Sequence, residues 1–184
     1  MKITETPLPG LLIIEPSVFE DPRGYFFESY NYQRYIDAGI NAHFVQDNES
    51  KSVRGVVRGL HYQLNPFAQA KLVRVVQGAV FDVALDLRKG SPTFGQWFGL
   101  EVNCTSKQQL FVPRGFAHGF SVLSDTAVFI YKCDNSYNKD SERAINALDP
   151  KLGIDWKLDK SELLVSEKDQ LAPLFDEAEY NFIF

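Results

Sequence analysis

Ala79-Val80-Phe81-Asp82-Val83-Ala84-Leu85-Asp86-Leu87 sets the architecture. Phe81, Val83, Leu85 and Leu87 share one face, and Val80, Asp82, Ala84 and Asp86 share the other, the period of two that marks a strand. Similar runs lie on both sides: Leu11 to Glu15, Tyr25 to Tyr30, Phe44 to Asn48, Val56 to His61, Lys71 to Gln77, Trp97 to Val102, Gln109 to Val112, Gly119 to Leu123 and Ala127 to Cys133. Turn signals separate them, as in Glu20-Asp21-Pro22-Arg23-Gly24 and at Gly78. Strands spaced this way without intervening helices predict an all-β sandwich or barrel. One early helix is expected over Asn31 to Ala38, with Asn31 as its cap and Gly39 ending it in the left-handed region. From about Asp149 the chain reads as loop and short helix. No linker, repeat or low-complexity tract divides it, so one domain over 1–184 is expected.

Composition narrows the function. At 184 residues the chain can remove roughly 70% of its unfolded surface from water. Aromatics make up 14%, with 15 Phe and 8 Tyr, which suits strands and supplies flat surfaces for stacking rings. Nineteen basic against 24 acidic residues leave a net charge of −5, and no Lys/Arg block stands out, which argues against a nucleic-acid partner. An anionic small molecule would need a local Arg/Lys cluster. No apolar run approaches the ~20 residues of a membrane span, and the first residues carry no secretory pattern. Cys104 and Cys133, the two cysteines, lack metal or redox spacing and read as reduced thiols of a cytoplasmic protein.

The chain has three histidines, and two fall in glycine-bounded runs: Arg58-Gly59-Leu60-His61-Tyr62-Gln63 and Pro113-Arg114-Gly115-Phe116-Ala117-His118-Gly119-Phe120. Either could be an ordinary hydrogen-bonded histidine. Their context resembles the two signature strands of the cupin superfamily, the small jelly-roll barrels. Metal-binding cupins carry His-x-His followed by Glu, whereas His61-Tyr62-Gln63 stands here and no Glu occurs until Glu101. Too few imidazoles and carboxylates remain for a transition-metal site, so no metal is expected and a histidine is free to act as a base.

Lys71 opens a strand; solvated it is unremarkable, but in a pocket it would stabilise an oxyanion. Tyr131 could be a plain strand tyrosine or a proton donor facing a histidine. Asp169, in Ser166-Glu167-Lys168-Asp169, could orient His61, and Asp82 and Asp86 compete for that role. Arg23, Glu28, Gln46, Asn48 and Arg58 form a polar set suited to a solvated face or to a diphosphate and a base ring.

Taken together, these segments resemble the dTDP-4-dehydrorhamnose 3,5-epimerase family along nearly the whole chain. The resemblance rests on Pro22 to Ser29, Phe44 to Asn48, Arg58 to His61, Lys71 to Arg74, Ala79 to Ala84, Gln109 to Pro113, Gly115 to Phe120 and Ser166 to Asp169. It implies a cofactor-free isomerase of jelly-roll fold acting on dTDP-4-dehydro-6-deoxyglucose in dTDP-L-rhamnose synthesis. His61 would be the base, oriented by Asp169, and Tyr131 the acid on the other ring face. Lys71 would stand at the ketone oxygen and His118 would line the sugar site. Arg23, Glu28, Gln46, Asp47, Asn48, Arg58, Glu142 and Lys168 would hold the nucleotide sugar, with Tyr137 stacked on thymine. The family pattern is a homodimer whose N-terminal strands cross to the partner, so Arg23 and Glu28 would serve the other subunit's site. Pro22 replaces an expected acidic residue, Asn135-Ser136-Tyr137 stands where two adjacent tyrosines are familiar, and the loop Leu64 to Ala70 is atypical. A mono-epimerase of a related nucleotide sugar and a non-catalytic sugar-binding cupin are the competing readings; a metal-dependent oxygenase is the remotest.

Overall fold

A computed structural model describes residues 1–184. Its strands are β1 (Lys2–Glu5), β2 (Leu12–Glu15), β3 (Phe19–Asp21), β4 (Gly24–Phe26), β5 (Gln46–Val53), β6 (Val56–Gln63), β7 (Lys71–Gln77), β8 (Ala79–Asp86), β9 (Trp97–Asn103), β10 (Gln109–Val112), β11 (Phe116–Val122), β12 (Thr126–Cys133), β13 (Glu142–Ala144) and β14 (Leu164–Val165). Two short helices, α1 (Tyr32–Asp37) and α2 (Glu167–Gln170), complete it with two single 3-10 turns. One sheet runs β1-β2-β10-β7-β12-β5; the second runs β13-β6-β11-β8-β9 with β14 beside β6. Facing each other, they form an all-β jelly-roll barrel. β3 and β4 pair only with each other, as a separate hairpin.

β8 explains how the layers stack. Its inward residues Val80 and Ala84 pack with Val73, Val75, Leu110, Phe120 and Phe129 between the sheets. Its outward residues Phe81, Val83 and Leu85 meet Ile145, Ala147, Leu152, Trp156, Phe175 and Phe182 of the C-terminal segment. Each fully buried apolar side chain of this size contributes roughly 1.5–3 kcal/mol, enough to hold that segment as an outer layer. Polar ties fix its path: Trp156 donates to the Ala147 carbonyl at 2.8 Å, and Asp149 accepts from the Phe175 amide at 2.7 Å. A smaller cluster seats α1 on the first sheet through Tyr35, Ile40, Leu72 and Phe111. The alternation in β8 thus separates two buried faces rather than a buried and a wet one, and both Asp82 and Asp86 are fully buried.

α1 forms as its caps dictate. Asn31 accepts from the Arg34 amide at 3.1 Å, and Gly39 takes φ +86°. Elsewhere the boundaries move. The strand expected over Tyr25 to Tyr30 stops at Phe26, because no sheet lies beside the following residues. β5 begins at Gln46 and runs on through a polar stretch to Val53, held by pairing along the whole of β12.

Candidate active site

Register places the site inside the barrel. His61 on β6 is the direct cross-strand partner of His118 on β11 and of Ala144 on β13. Both imidazoles therefore point inward, and the single methyl of Ala144 leaves room beside His61. A bulge separates His118 from Phe120 in the β11–β6 ladder, where Gly59 and Gly119 touch. A Cβ on Gly59 would lie 2.5 Å from the Gly119 Cα, and Gly59 takes φ +129°, so neither glycine tolerates a side chain. This bulge is the local device that aims His61.

On the facing sheet, β12 turns Phe129, Tyr131 and Cys133 inward, and β5 matches them in register with Ser50, Asn48 and Gln46. β7 contributes Lys71, opposite Cys133. Lys71 Nζ lies 5.8 Å from the Tyr131 ring centroid, and the Phe129 ring lies 6.0 Å from both His118 and Tyr131. One interior thus collects two imidazoles, an ammonium and a phenol from opposite sheets.

Each of the three competing aspartates has its own partner. Asp169 Oδ1 is 2.7 Å from His61 Nε2. Asp82 holds His118 Nε2 at 2.9 and 3.1 Å. Asp86 is engaged by Arg88, Ser91 and Thr93 at 2.6 to 2.8 Å. Burial pushes the Asp169 carboxyl up, but the bond and charge of His61, the Gly59 amide and Ser166 outweigh it and hold it below the usual carboxylate range. Ser166, which sequence reading passed over, caps α2 by accepting from the Asp169 amide at 3.2 Å. The pattern Ser-x-x-Asp ahead of a helical turn was the available signal.

Burial lowers the Lys71 ammonium from the ordinary lysine value, opposed by Cys133, Asp82 and Glu142. Burial raises the Tyr131 phenol, with a further push from Cys133 and relief from Arg58, so it stays protonated at neutral pH. The Cys133 thiol is likewise pushed up by burial, to about 11, and is a neutral neighbour.

The dTDP-4-dehydrorhamnose 3,5-epimerase family matches residues 5–177 of this chain. The chain belongs to that family. It is 51% identical over 181 residues to the dTDP-4-dehydrorhamnose 3,5-epimerase of Shigella flexneri, covering 98% of this chain and 99% of that protein. A crystal structure of the Elizabethkingia anophelis dTDP-4-dehydrorhamnose 3,5-epimerase superposes with a TM-score of 0.93 at 56% identity, covering 96% and 97% of the two chains. The dTDP-6-deoxy-D-glucose-3,5-epimerase of Legionella pneumophila, solved with dTDP-4-keto-L-rhamnose, superposes at 0.91 and 50% identity, covering 96% and 93%. The protein is thus an isomerase of the dTDP-4-dehydrorhamnose 3,5-epimerase type.

The other residues expected from the family divide in two. Beside His61, a cleft of about 510 Å³ is lined by Arg58, Lys168 and Asp169. Arg58 donates to Ser52 at 3.1 Å. Lys168 Nζ contacts Glu142 at 2.8 Å, and the exposed Tyr137 donates its hydroxyl to Glu142 at 3.3 Å. Burial raises Glu142, yet Lys168 and Tyr137 together bring it below its usual value. Gln46 and Asn48 point inward, whereas Asp47, between them, points out and binds Lys132 at 2.8 Å. The side chain of Asp47 therefore lies outside the cluster. Arg23 and Glu28 also stand apart within the protomer: Arg23 binds Asp21 at 2.6 Å on the β3–β4 hairpin, and Glu28 binds Arg34 at 3.2 Å. No three His, Cys, Asp or Glu side chains converge as a metal-ligand set, and no helix is long and apolar enough to cross a membrane.

Proposed function

We propose that this protein inverts carbons 3 and 5 of dTDP-4-dehydro-6-deoxy-D-glucose, giving dTDP-4-dehydro-L-rhamnose, as a cytoplasmic step of deoxysugar synthesis. The observation that carries this reading is the placement of His61, already engaged by Asp169, and Tyr131 on facing sheets of one interior. Hydrogens at carbons 3 and 5 are both α to the carbon-4 ketone. His61 removes one, and the electron pair moves onto the ketone oxygen to form an enolate. With Asp169 ionised and accepting from Nε2, the basic nitrogen is Nδ1. The Lys71 ammonium, poorly solvated where it stands, stabilises the oxyanion. Tyr131 then delivers a proton to the opposite face and recovers one from solvent, while His61 gives its captured proton to solvent before the second carbon reacts. Each step moves only a proton, so no redox equivalent enters.

The nucleotide falls to the cleft beside His61, with Tyr137 against thymine and Arg58, Lys168 and the inward amides of Gln46 and Asn48 on the polar groups. The protein acts as a homodimer in this reading. The β3–β4 hairpin supports it: Phe19, Tyr25 and Phe26 are 66%, 57% and 71% exposed, an apolar arm without cover in one protomer. Arg23 rides on that arm and would enter the partner's site.

Incubation with dTDP-4-dehydro-6-deoxyglucose in heavy water tests the proposal. Two deuterons per product molecule, at carbons 3 and 5, are expected. One deuteron means a mono-epimerase, and tight dTDP binding without exchange means a sugar-binding protein. His61→Ala should abolish uptake at both carbons.

A further inference from the structure

Gln63 lies two residues beyond His61 on β6, so it shares the inward face of that strand, and it is only 4% exposed. Its amide makes three bonds, all to backbone. Nε2 donates to the Phe67 carbonyl at 2.7 Å and to the Ser136 carbonyl at 3.2 Å, while Oε1 accepts from the Asn138 amide at 2.7 Å. Both donors are used, and the opposite amide orientation would set N–H against N–H and oxygen against two carbonyls, so the pattern has one solution. From the other sheet, Gln46 Oε1 accepts from the Tyr137 amide at 3.0 Å. Three successive residues, Ser136 to Asn138, are therefore held by two glutamines from opposite walls of the barrel. Gln69 and Asn135 stitch the same loop to residues 66 to 69 with bonds of 2.7 and 3.2 Å.

We infer that Gln63 is a positioning residue for nucleotide recognition: through the backbone of Ser136 and Asn138 it sets the Tyr137 ring at a fixed distance from the strand that carries the base. This rests on the reading of Tyr137 as the thymine-stacking side chain. Gln63 itself touches neither the reacting carbons nor, in this reading, the base. Its contribution is to pre-order a loop whose tip side chain is exposed and would otherwise lose freedom on binding. The effect therefore falls on affinity for the nucleotide and not on proton transfer.

Gln63→Met keeps the length and removes all three bonds; Gln63→Glu keeps the acceptor for Asn138 and turns a carboxylate on two carbonyls. In both, calorimetric dTDP affinity should fall about tenfold or more and the KM for the nucleotide sugar should rise in parallel, the effect of unpairing buried backbone groups. The kcat at saturation should stay within about threefold. Combined with Tyr137→Ala, Gln63→Met should bind dTDP no more weakly than Tyr137→Ala alone, since the two act in series. Additive losses, a loss confined to kcat, or unchanged dTDP affinity in the Gln63 variants would overturn the assignment. Unchanged affinity in Tyr137→Ala itself refutes the stacking role, whereas a weakened Tyr137→Ala beside unaltered Gln63 variants refutes Gln63 alone. If Gln63→Met fails to fold, Gln63→Glu carries the same measurements.

Discussion

His118 and His61 are direct cross-strand neighbours, yet each engages a different aspartate, Asp82 for His118 and Asp169 for His61. The first pair is fully enclosed and the second is open on the imidazole side, where His61 is 35% exposed. The two similar pairs thus differ in access: Asp82 and His118 lie closed in the wall, whereas the His61 imidazole is open on one side.

Asp169→Asn replaces an acceptor by an amide and frees the imidazole to take the wrong tautomer. An effect of the order of 10²–10⁴ on kcat is expected, because loss of an orienting carboxylate acts on the base rather than on binding. Steady-state kinetics check it, with dTDP affinity as the control that should change little.

Lys71→Met should slow turnover by about two decades or more, the loss of one oxyanion-stabilising group. It should also raise the melting temperature at neutral pH. Burial depresses the folded-state pKa of Lys71, so below that value the folded protein bears the cost of a poorly solvated charge. That cost diminishes only as pH rises through the folded and then the unfolded lysine pKa, so methionine removes it at pH 7. Calorimetry across pH tests this; a lower melting temperature would contradict the desolvation argument.

Asp86 gives the acid side. Burial raises its carboxyl, but Arg88, Ser91 and Thr93 outweigh this and bring it below the usual range. A depressed carboxyl adds stability that is fully present above about pH 4 and is lost as pH falls through the folded value. Asp86→Asn should cost about 1–3 kcal/mol at neutral pH, since it takes the charged acceptor away from Arg88, Ser91 and Thr93, and should flatten the acid limb of the stability profile. Urea titrations at several pH values provide the measurement.

Mixing separates a shared site from a self-contained one. On the crossed-arm dimer proposed above, His61→Ala and Arg23→Ala protomers, each impaired alone, should recover activity when exchanged into mixed dimers, because one site then has both His61 and the partner's arginine. No recovery in verified heterodimers would place Arg23 in its own protomer's site or outside any site.

Much of this was legible in the chain because strong local patterns agree with the tertiary result. β7 and β10 have the predicted bounds, and the Asn31 and Gly39 caps of α1 are chemical signals that need no partner. β5 was only half visible: Gln46-Asp47-Asn48-Glu49-Ser50-Lys51-Ser52-Val53 is polar on both faces, and its pairing to β12 determines the strand. β13 is three residues long and owes its existence to β6. In the site, the residues were readable but not their partners. Nothing local joins Asp169 to His61, and the choice among three aspartates was made by how the outer layer wraps the barrel. Gln63 stayed hidden since a glutamine two places from a histidine carries no message until the loop at 136 to 138 arrives beside it.

The clasp between Asp169 and His61 spans 108 positions of chain and is closed by a short helix near the carboxyl end. During synthesis, the imidazole therefore emerges 108 positions ahead of the carboxylate that fixes its tautomer. A chain cut ahead of Ser166 would keep the strands that carry His61 and Tyr131 and lose the carboxylate that holds the imidazole.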